Sequence, residues 1–170
     1  KYFYIKTGTG YNDVRQSLID QKIISSTYFF DLLSKQLKYA GKVKAGRYQV
    51  KNGISLLSLL RMLRSGNQAP VNLVINKLRL KEDLAQKIAA NFECDSASVM
   101  DVLNDAETLK RFNVNNNTLM TIVVPNTYSM LWNASAEKII NKLYSEKEKF
   151  WNTERVNKAK ALNLTPEQVY

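Results

Sequence analysis

The stretch Thr121-Ile122-Val123-Val124-Pro125-Asn126-Thr127-Tyr128-Ser129-Met130-Leu131-Trp132 decides how the chain is read. Thr121 to Val124 are four β-formers, and Pro125 has no N–H to give a ladder, so a buried strand is expected to run over 121–124 and stop there. Asn126 and Thr127 can bend the backbone with their own side chains, and Tyr128, Met130 and Trp132 present large faces beyond the bend. Two readings fit this pattern. One is a core strand closed by a turn, the other a wall of a ligand cleft.

Outward from that stretch, 170 residues with 45% hydrophobic content can bury a real core, as one large domain or two small ones. Lys and Arg number 25 against 15 Asp and Glu, and the resulting +10 favours acidic partners such as nucleic acid, anionic lipid or an anionic polymer. The basic residues are scattered, as in Lys44, Arg47, Lys51, Arg61 and Lys77, without the tight blocks of a nucleic-acid-binding tail. The chain has no histidine, which removes the commonest general base and the commonest metal ligand. Cys94 stands alone, so a disulfide or a cysteine metal site within the chain is excluded, and a small semi-buried hydrophobe is its expected role. No metal and no cofactor are implied. No apolar run approaches the length of a membrane helix, and no signal peptide opens the sequence.

Periodicity sets the order of elements. Tyr2 to Ile5 reads as a strand, followed by a glycine turn and a helix carrying Val14, Leu18 and Ile19. Ser25, Ser26 or Thr27 can cap a second helix with Phe29, Phe30, Leu32, Leu33 and Leu37 as a core stripe, and Ala45 to Val50 is a further short strand. Ile54 to Leu63 is a strongly apolar helix stopped by Gly66, and Val71 to Ile75 a strand after Pro70. A helix from about Lys81 turns Leu84, Ile88 and Phe92 inward; its Glu82 and Asp83 complement the helix dipole rather than forming an acid/base pair, since adjacent helical residues point apart. Asp95 and Asp105 start two short helices, Asn113 to Thr118 is a polar break, Ser135 caps a long amphipathic helix to Trp151, and Thr153 caps another. Strand, turn and helix recur loosely over 4–19, 48–63 and 74–88. Thr165-Pro166-Glu167-Gln168 carries a helix-start signature, with threonine as cap and glutamine as the return half of a capping box, so a further helix is expected to follow Tyr170. The opening at Tyr2 directly into a strand gives the same expectation of a longer protein. The fold class expected is α+β.

Several of these features together resemble one family. Val124-Pro125-Asn126-Thr127-Tyr128, followed by Trp132-Asn133-Ala134-Ser135-Ala136-Glu137 and a lysine-rich helix to Phe150-Trp151, resembles the Phe-Pro-Asp-Thr-Tyr region of the MltG (YceG-like) endolytic murein transglycosylases. Lys44-Ala45-Gly46-Arg47-Tyr48 is similar to the family's Lys-Pro-Gly-x-Tyr, and Gly53-Ile54-Ser55 and Leu63-Arg64-Ser65-Gly66 to its Gly-Met-Ser and Leu-x-Ser-Gly. The ordered set covers nearly the whole chain, and Asn126 in place of aspartate is similar to the Bacteroidetes branch.

The resemblance implies a bacterial inner-membrane protein with one N-terminal transmembrane helix, a periplasmic LysM-like βααβ module and a C-terminal catalytic domain. It implies cleavage of nascent glycan between N-acetylmuramic acid and N-acetylglucosamine to give 1,6-anhydromuramoyl ends, with glycan strands and cell-wall synthases as partners and no specific nucleic acid. On this basis residues 1–68 form the LysM-like module, 69–118 a second strand-helix subdomain, and 119–170 the start of the catalytic domain. Asn126, Thr127, Tyr128 and Trp132 are the expected substrate-binding residues. The family's catalytic glutamate lies on a helix that would follow Tyr170, so no catalytic residue is expected within the chain.

Departures from the pattern bear on the chemistry. Met120-Thr121 stands where many members have Glu-Gly, and Asn126 cannot ionise, so its role is turn-making or sugar hydrogen bonding. A lytic transglycosylase needs a carboxyl group that first protonates the glycosidic oxygen and then takes a proton from the muramoyl 6-hydroxyl, and burial must raise its pKa. Glu137, Glu146, Glu148, Glu154 and Glu167 all fall on charged helix faces or in first turns, so the chain alone is expected to be inactive. Members of the family have also been called aminodeoxychorismate lyases, but no phosphate cradle or cofactor lysine supports pyridoxal chemistry. A non-catalytic glycan-binding or divisome scaffold module is the alternative. A basic nucleic-acid-binding domain ranks below both, because the aromatics are expected on apolar faces away from the basic residues.

Overall fold

The structure is a computed structural model and describes residues 1–169. It is α+β, with eight α-helices and two separate two-stranded antiparallel sheets among the described residues. The chain divides into two compact units: residues 1–70 together with Leu131–Asn133, and Val71–Met130 together with the chain from Ala134 onward.

In the first unit, β1 (Tyr2–Ile5) alternates exposed and buried residues, and pairs with β2 (Gly46–Gln49) so that Phe3 faces Tyr48 and Tyr4 faces Arg47. Between them lie α1 (Tyr11–Asp20) and α2 (Thr27–Gln36), which gives a strand-helix-helix-strand order, and α3 (Leu56–Ser65) follows. Phe3, Ile5, Leu18, Phe30, Tyr48 and Leu60 fill one core, and the apolar stripe of α3 closes it. Two glycines are required where they stand. Gly66 ends α3 in the left-handed region, and Gly46 holds φ +146° with the Gln68 side chain where a Cβ would be.

In the second unit, β3 (Val71–Ile75) pairs with β4 (Asn126–Met130), with Leu73 opposite Tyr128. The chain between them forms α4 (Lys81–Ala89), α5 (Ser96–Asn104) and α6 (Ala106–Arg111), and α7 (Ala136–Phe150) and α8 (Thr153–Ala161) follow. Asp95 and Asp105 cap α5 and α6 through backbone N–H bonds of 2.7 and 2.8 Å, as their sequence positions implied. Phe112 stacks on Tyr144 with ring centroids 4.3 Å apart.

The two sheets share a construction. Tyr48 and Tyr128 each sit inward on the second strand and donate a hydroxyl hydrogen to the carbonyl four residues earlier, Lys44 and Val124 respectively. After the second strand of each sheet the chain turns and reaches a serine that caps the following helix, Ser55 to Ser58 N–H at 3.2 Å and Ser135 to Lys138 N–H at 3.3 Å.

Three expectations are corrected. Thr121–Val124 is not a strand: Leu119–Ile122 forms a 3-10 turn, with Thr121 N–H donating to the Thr118 carbonyl at 3.0 Å, and the strand begins only after Pro125. Ile122, Val123 and Val124 are buried all the same, so core burial and not ladder pairing accounts for that apolar run. Proline stands just ahead of a strand, where its missing N–H costs nothing, rather than at the end of one. On α2 only Phe30 of the two phenylalanines is buried, while Phe29 and Leu32 are exposed. The cap of α8 is Asn152, whose Oδ1 accepts from Arg155 N–H at 3.0 Å, one residue before the expected Thr153.

Candidate functional site

Strand geometry separates the four expected binding residues. On β4, Asn126, Tyr128 and Met130 share one face and Thr127 and Ser129 the other. Tyr128 is buried opposite Leu73, with its hydroxyl donated to the Val124 carbonyl. Burial and the nearby Glu146 carboxylate push its pKa up to about 12. With its ring in the core and its proton committed to the backbone, Tyr128 holds the Val124–Tyr128 elbow together and has no free surface for a ligand. Asn126 opens β4, is exposed, and its Oδ1 accepts from Thr127 N–H at 2.8 Å. Thr127 is exposed on the outer face with Asn72, Val74 and Ser129 around it in register.

Trp132 lies in the turn after β4, half-buried, and belongs to the first unit. Its ring meets that of Tyr4 edge to face, centroids 5.0 Å apart at 68°. Around this pair stand residues that sequence reasoning did not single out. Tyr2 and Tyr4 both point outward from β1, and Arg47 of β2 lies across from Tyr4 with its guanidinium carbon 4.2 Å above the Tyr2 ring. Arg47 is held in place by its own donors, with Nε to the Ala69 carbonyl at 3.2 Å and Nη2 to the Pro70 carbonyl. Asn133 Nδ2 reaches the Ala45 carbonyl at 3.5 Å, beside the same strand. The signal was present in the alternation Tyr2, Phe3, Tyr4, Ile5, since a strand that buries Phe3 and Ile5 must turn both tyrosines out. Tyr2 and Tyr4 therefore correct the expectation that the aromatics stay on apolar faces away from basic residues.

Several of the carboxylates are engaged in caps and ion pairs. Glu146 accepts from Lys149 and Lys142 at 2.8 and 3.0 Å, and these contacts hold its pKa below the usual range, the reverse of what a general acid needs. Glu137 lies 3.6 Å from Arg111, Glu154 is 2.7 Å from Lys158, and Glu148 and Glu167 are exposed. A surface hollow of about 600 Å³ gathers Asp101, Asp105, Glu107, Arg111 and Glu137, but Asp105 is committed to capping α6 and Glu137 to Arg111. Among the described residues no group of His, Cys, Asp and Glu is arranged to hold a metal ion. No helix among them is long and apolar enough to cross a membrane.

The model of the YceG-like family matches residues 3–170. The chain belongs to the YceG-like family. A crystal structure of a YceG-like protein from Listeria monocytogenes has the same fold, with a TM-score of 0.52 and 21% sequence identity. The alignment covers 98% of this chain and 60% of that one, so the present YceG-like chain spans less than two thirds of that protein's length. No curated protein matches the sequence.

Proposed function

We propose that this YceG-like chain is the periplasmic, glycan-holding part of a membrane-anchored endolytic murein transglycosylase that cleaves MurNAc–GlcNAc bonds and leaves 1,6-anhydromuramoyl ends. The observation that carries the reading is the family match across residues 3–170. On this reading residues 1–68 are the LysM-like module, 69–118 the strand-helix subdomain and 119–170 the opening of the catalytic domain. Asn126, Thr127 and Trp132 remain candidates for sugar contact; Tyr128 contributes by fixing the elbow that carries them.

The acid that protonates the glycosidic oxygen is assigned to sequence beyond residue 170. The paired state of Glu146, Glu154 and Glu137 supports this, because none stands in the apolar pocket that keeps a carboxyl group protonated near neutral pH. The thermodynamic role left to the 170 residues is binding and orientation of the strand, which can supply a large share of a barrier reduction without any reacting group. The same engaged carboxylates favour, as second reading, a non-catalytic glycan-binding or divisome scaffold module.

Product analysis of the uninterrupted protein acting on uncross-linked peptidoglycan tests the assignment. Mass spectrometry is expected to find anhydromuramoyl ends, lower by one water than hydrolytic reducing ends. Purely hydrolytic products, or none, would count against it.

A further inference from the structure

We propose that the outward face of the β1–β2 sheet, carrying Tyr2, Tyr4, Arg47 and Trp132, binds the amino-sugar strand of peptidoglycan together with the acidic group attached to its muramic acid; the inference rests on the murein reading above. Tyr2 and Tyr4 keep 42% and 44% of their surface in water while Phe3 and Ile5 between and beyond them are buried. Two rings side by side on one strand face, with a guanidinium over one of them, form a mixed aromatic and cationic surface of the kind that can stack on a sugar ring and pair with an attached anion.

The patch is already ordered. Tyr4 is braced edge to face by Trp132 at 5.0 Å, and Arg47 is pinned over Tyr2 by two backbone carbonyls. Little side-chain freedom remains to be lost when a ligand docks, which favours binding.

The chemistry selects the occupant. A pyranose ring offers an apolar C–H face of positive edge character to the negative face of an aromatic ring, and its hydroxyls suit the phenolic tips of Tyr2 and Tyr4. The muramic acid residue adds negative charge, as a free lactyl carboxylate where the strand is peptide-free and through the stem-peptide carboxylates where it is substituted. Arg47 supplies a positive charge over the Tyr2 ring, on a chain whose net charge is +10, so an anionic sugar polymer is matched on both counts. An uncharged chitin strand satisfies only the rings. Single-stranded nucleic acid also suits rings beside a cation, but with binding that collapses as salt rises.

The test uses the 170-residue protein carrying Trp151→Phe, so that emission reports on Trp132 alone. It is titrated with peptide-free peptidoglycan glycan strands, chitin oligosaccharides and a single-stranded DNA oligonucleotide, each over a salt series. Glycan strands are expected to give a saturable change in Trp132 emission and to bind more tightly than chitin. Tyr4→Ala should weaken glycan binding about tenfold, Tyr4→Phe should retain most of it, and Phe29→Ala, at an exposed ring of α2, should leave it unchanged. Trp132→Ala, followed by isothermal titration calorimetry, should show the same weakening as Tyr4→Ala.

Equal glycan affinity in Tyr4→Ala and the parent overturns the proposal, as does no saturable response or a preference for DNA. The murein reading is judged separately, by anhydromuramoyl ends from the uninterrupted protein, so those ends together with an indifferent Tyr4→Ala would remove this surface and leave that reading standing.

Discussion

Tyr128 repeats in the β3–β4 sheet the bond that Tyr48 makes in the β1–β2 sheet, each hydroxyl donating to the carbonyl four residues before it. Both rings are buried opposite an apolar partner, Phe3 for Tyr48 and Leu73 for Tyr128. The bond closes the backbone ahead of the strand and so fixes where the strand begins. Tyr128→Phe and Tyr48→Phe should therefore each cost about 1 kcal/mol in urea unfolding, the usual contribution of a hydrogen bond whose acceptor is left unpaired. Tyr128→Phe should leave glycan affinity within twofold of the parent; a large loss of affinity at unchanged stability would restore Tyr128 as a contact residue.

The same tyrosines set an alkaline limit. Burial pushes Tyr48 and Tyr128 up to about 12, and Tyr39 upward as well, against about 10 in the unfolded chain. The folded state holds these protons more tightly, so their stabilisation is complete below about pH 10 and is lost as pH rises through about 12. Each contributes a slope of up to about 1.4 kcal/mol per pH unit within that window. The denaturant midpoint should begin to fall above pH 10 and fall less steeply in Tyr48→Phe; parallel curves for the two proteins would contradict the assignment.

On the acid side, Asp105 accepts from Thr108 through both its hydroxyl and its backbone N–H, which lowers its pKa. A lowered carboxylate stabilises the fold above its unfolded pKa and ceases to do so as pH falls through the folded value. Asn is an equally good cap but does not titrate. Asp105→Asn is expected to lose stability relative to the parent at pH 6, with the gap closing towards pH 3. A gap that stays constant over this range would show that the charge contributes nothing.

Gly46→Ala tests the turn into β2. At φ +146° a side chain is strained, and its Cβ would fall 2.0 Å from Cδ of Gln68, whose Nε2 donates to the Ala45 carbonyl at 2.9 Å. A loss of about 2 kcal/mol is expected, together with weaker glycan binding because Arg47 is the next residue. Unaltered unfolding would show that the strand adapts and that glycine is incidental there.

Much of the fold was legible because short-range chemistry announced it. Val71–Ile75, the caps Asp95, Asp105 and Ser135, and the Gly66 stop follow from side chains acting on their own backbone, and the structure places them as the sequence did. The Thr165–Gln168 capping box is formed too, with Thr165 N–H to Gln168 Oε1 at 2.8 Å. What failed was decided at long range. The β-branched run Ile122–Val124 buries itself without a ladder, because the segment available to pair with β3 is the polar Asn126–Met130 that follows. The aromatic surface was hidden for a related reason: Tyr4 and Trp132 are distant in sequence and meet only once the chain has folded.

The central claim is that this YceG-like chain holds glycan and does not cut it. Its most direct test is incubation of the 170-residue protein with purified, insoluble peptidoglycan sacculi, followed by centrifugation and mass spectrometry of the supernatant. The protein is predicted to pellet with the polymer while the supernatant stays free of anhydromuramoyl products. Release of such products by these residues alone, or protein left wholly in the supernatant, would contradict the account.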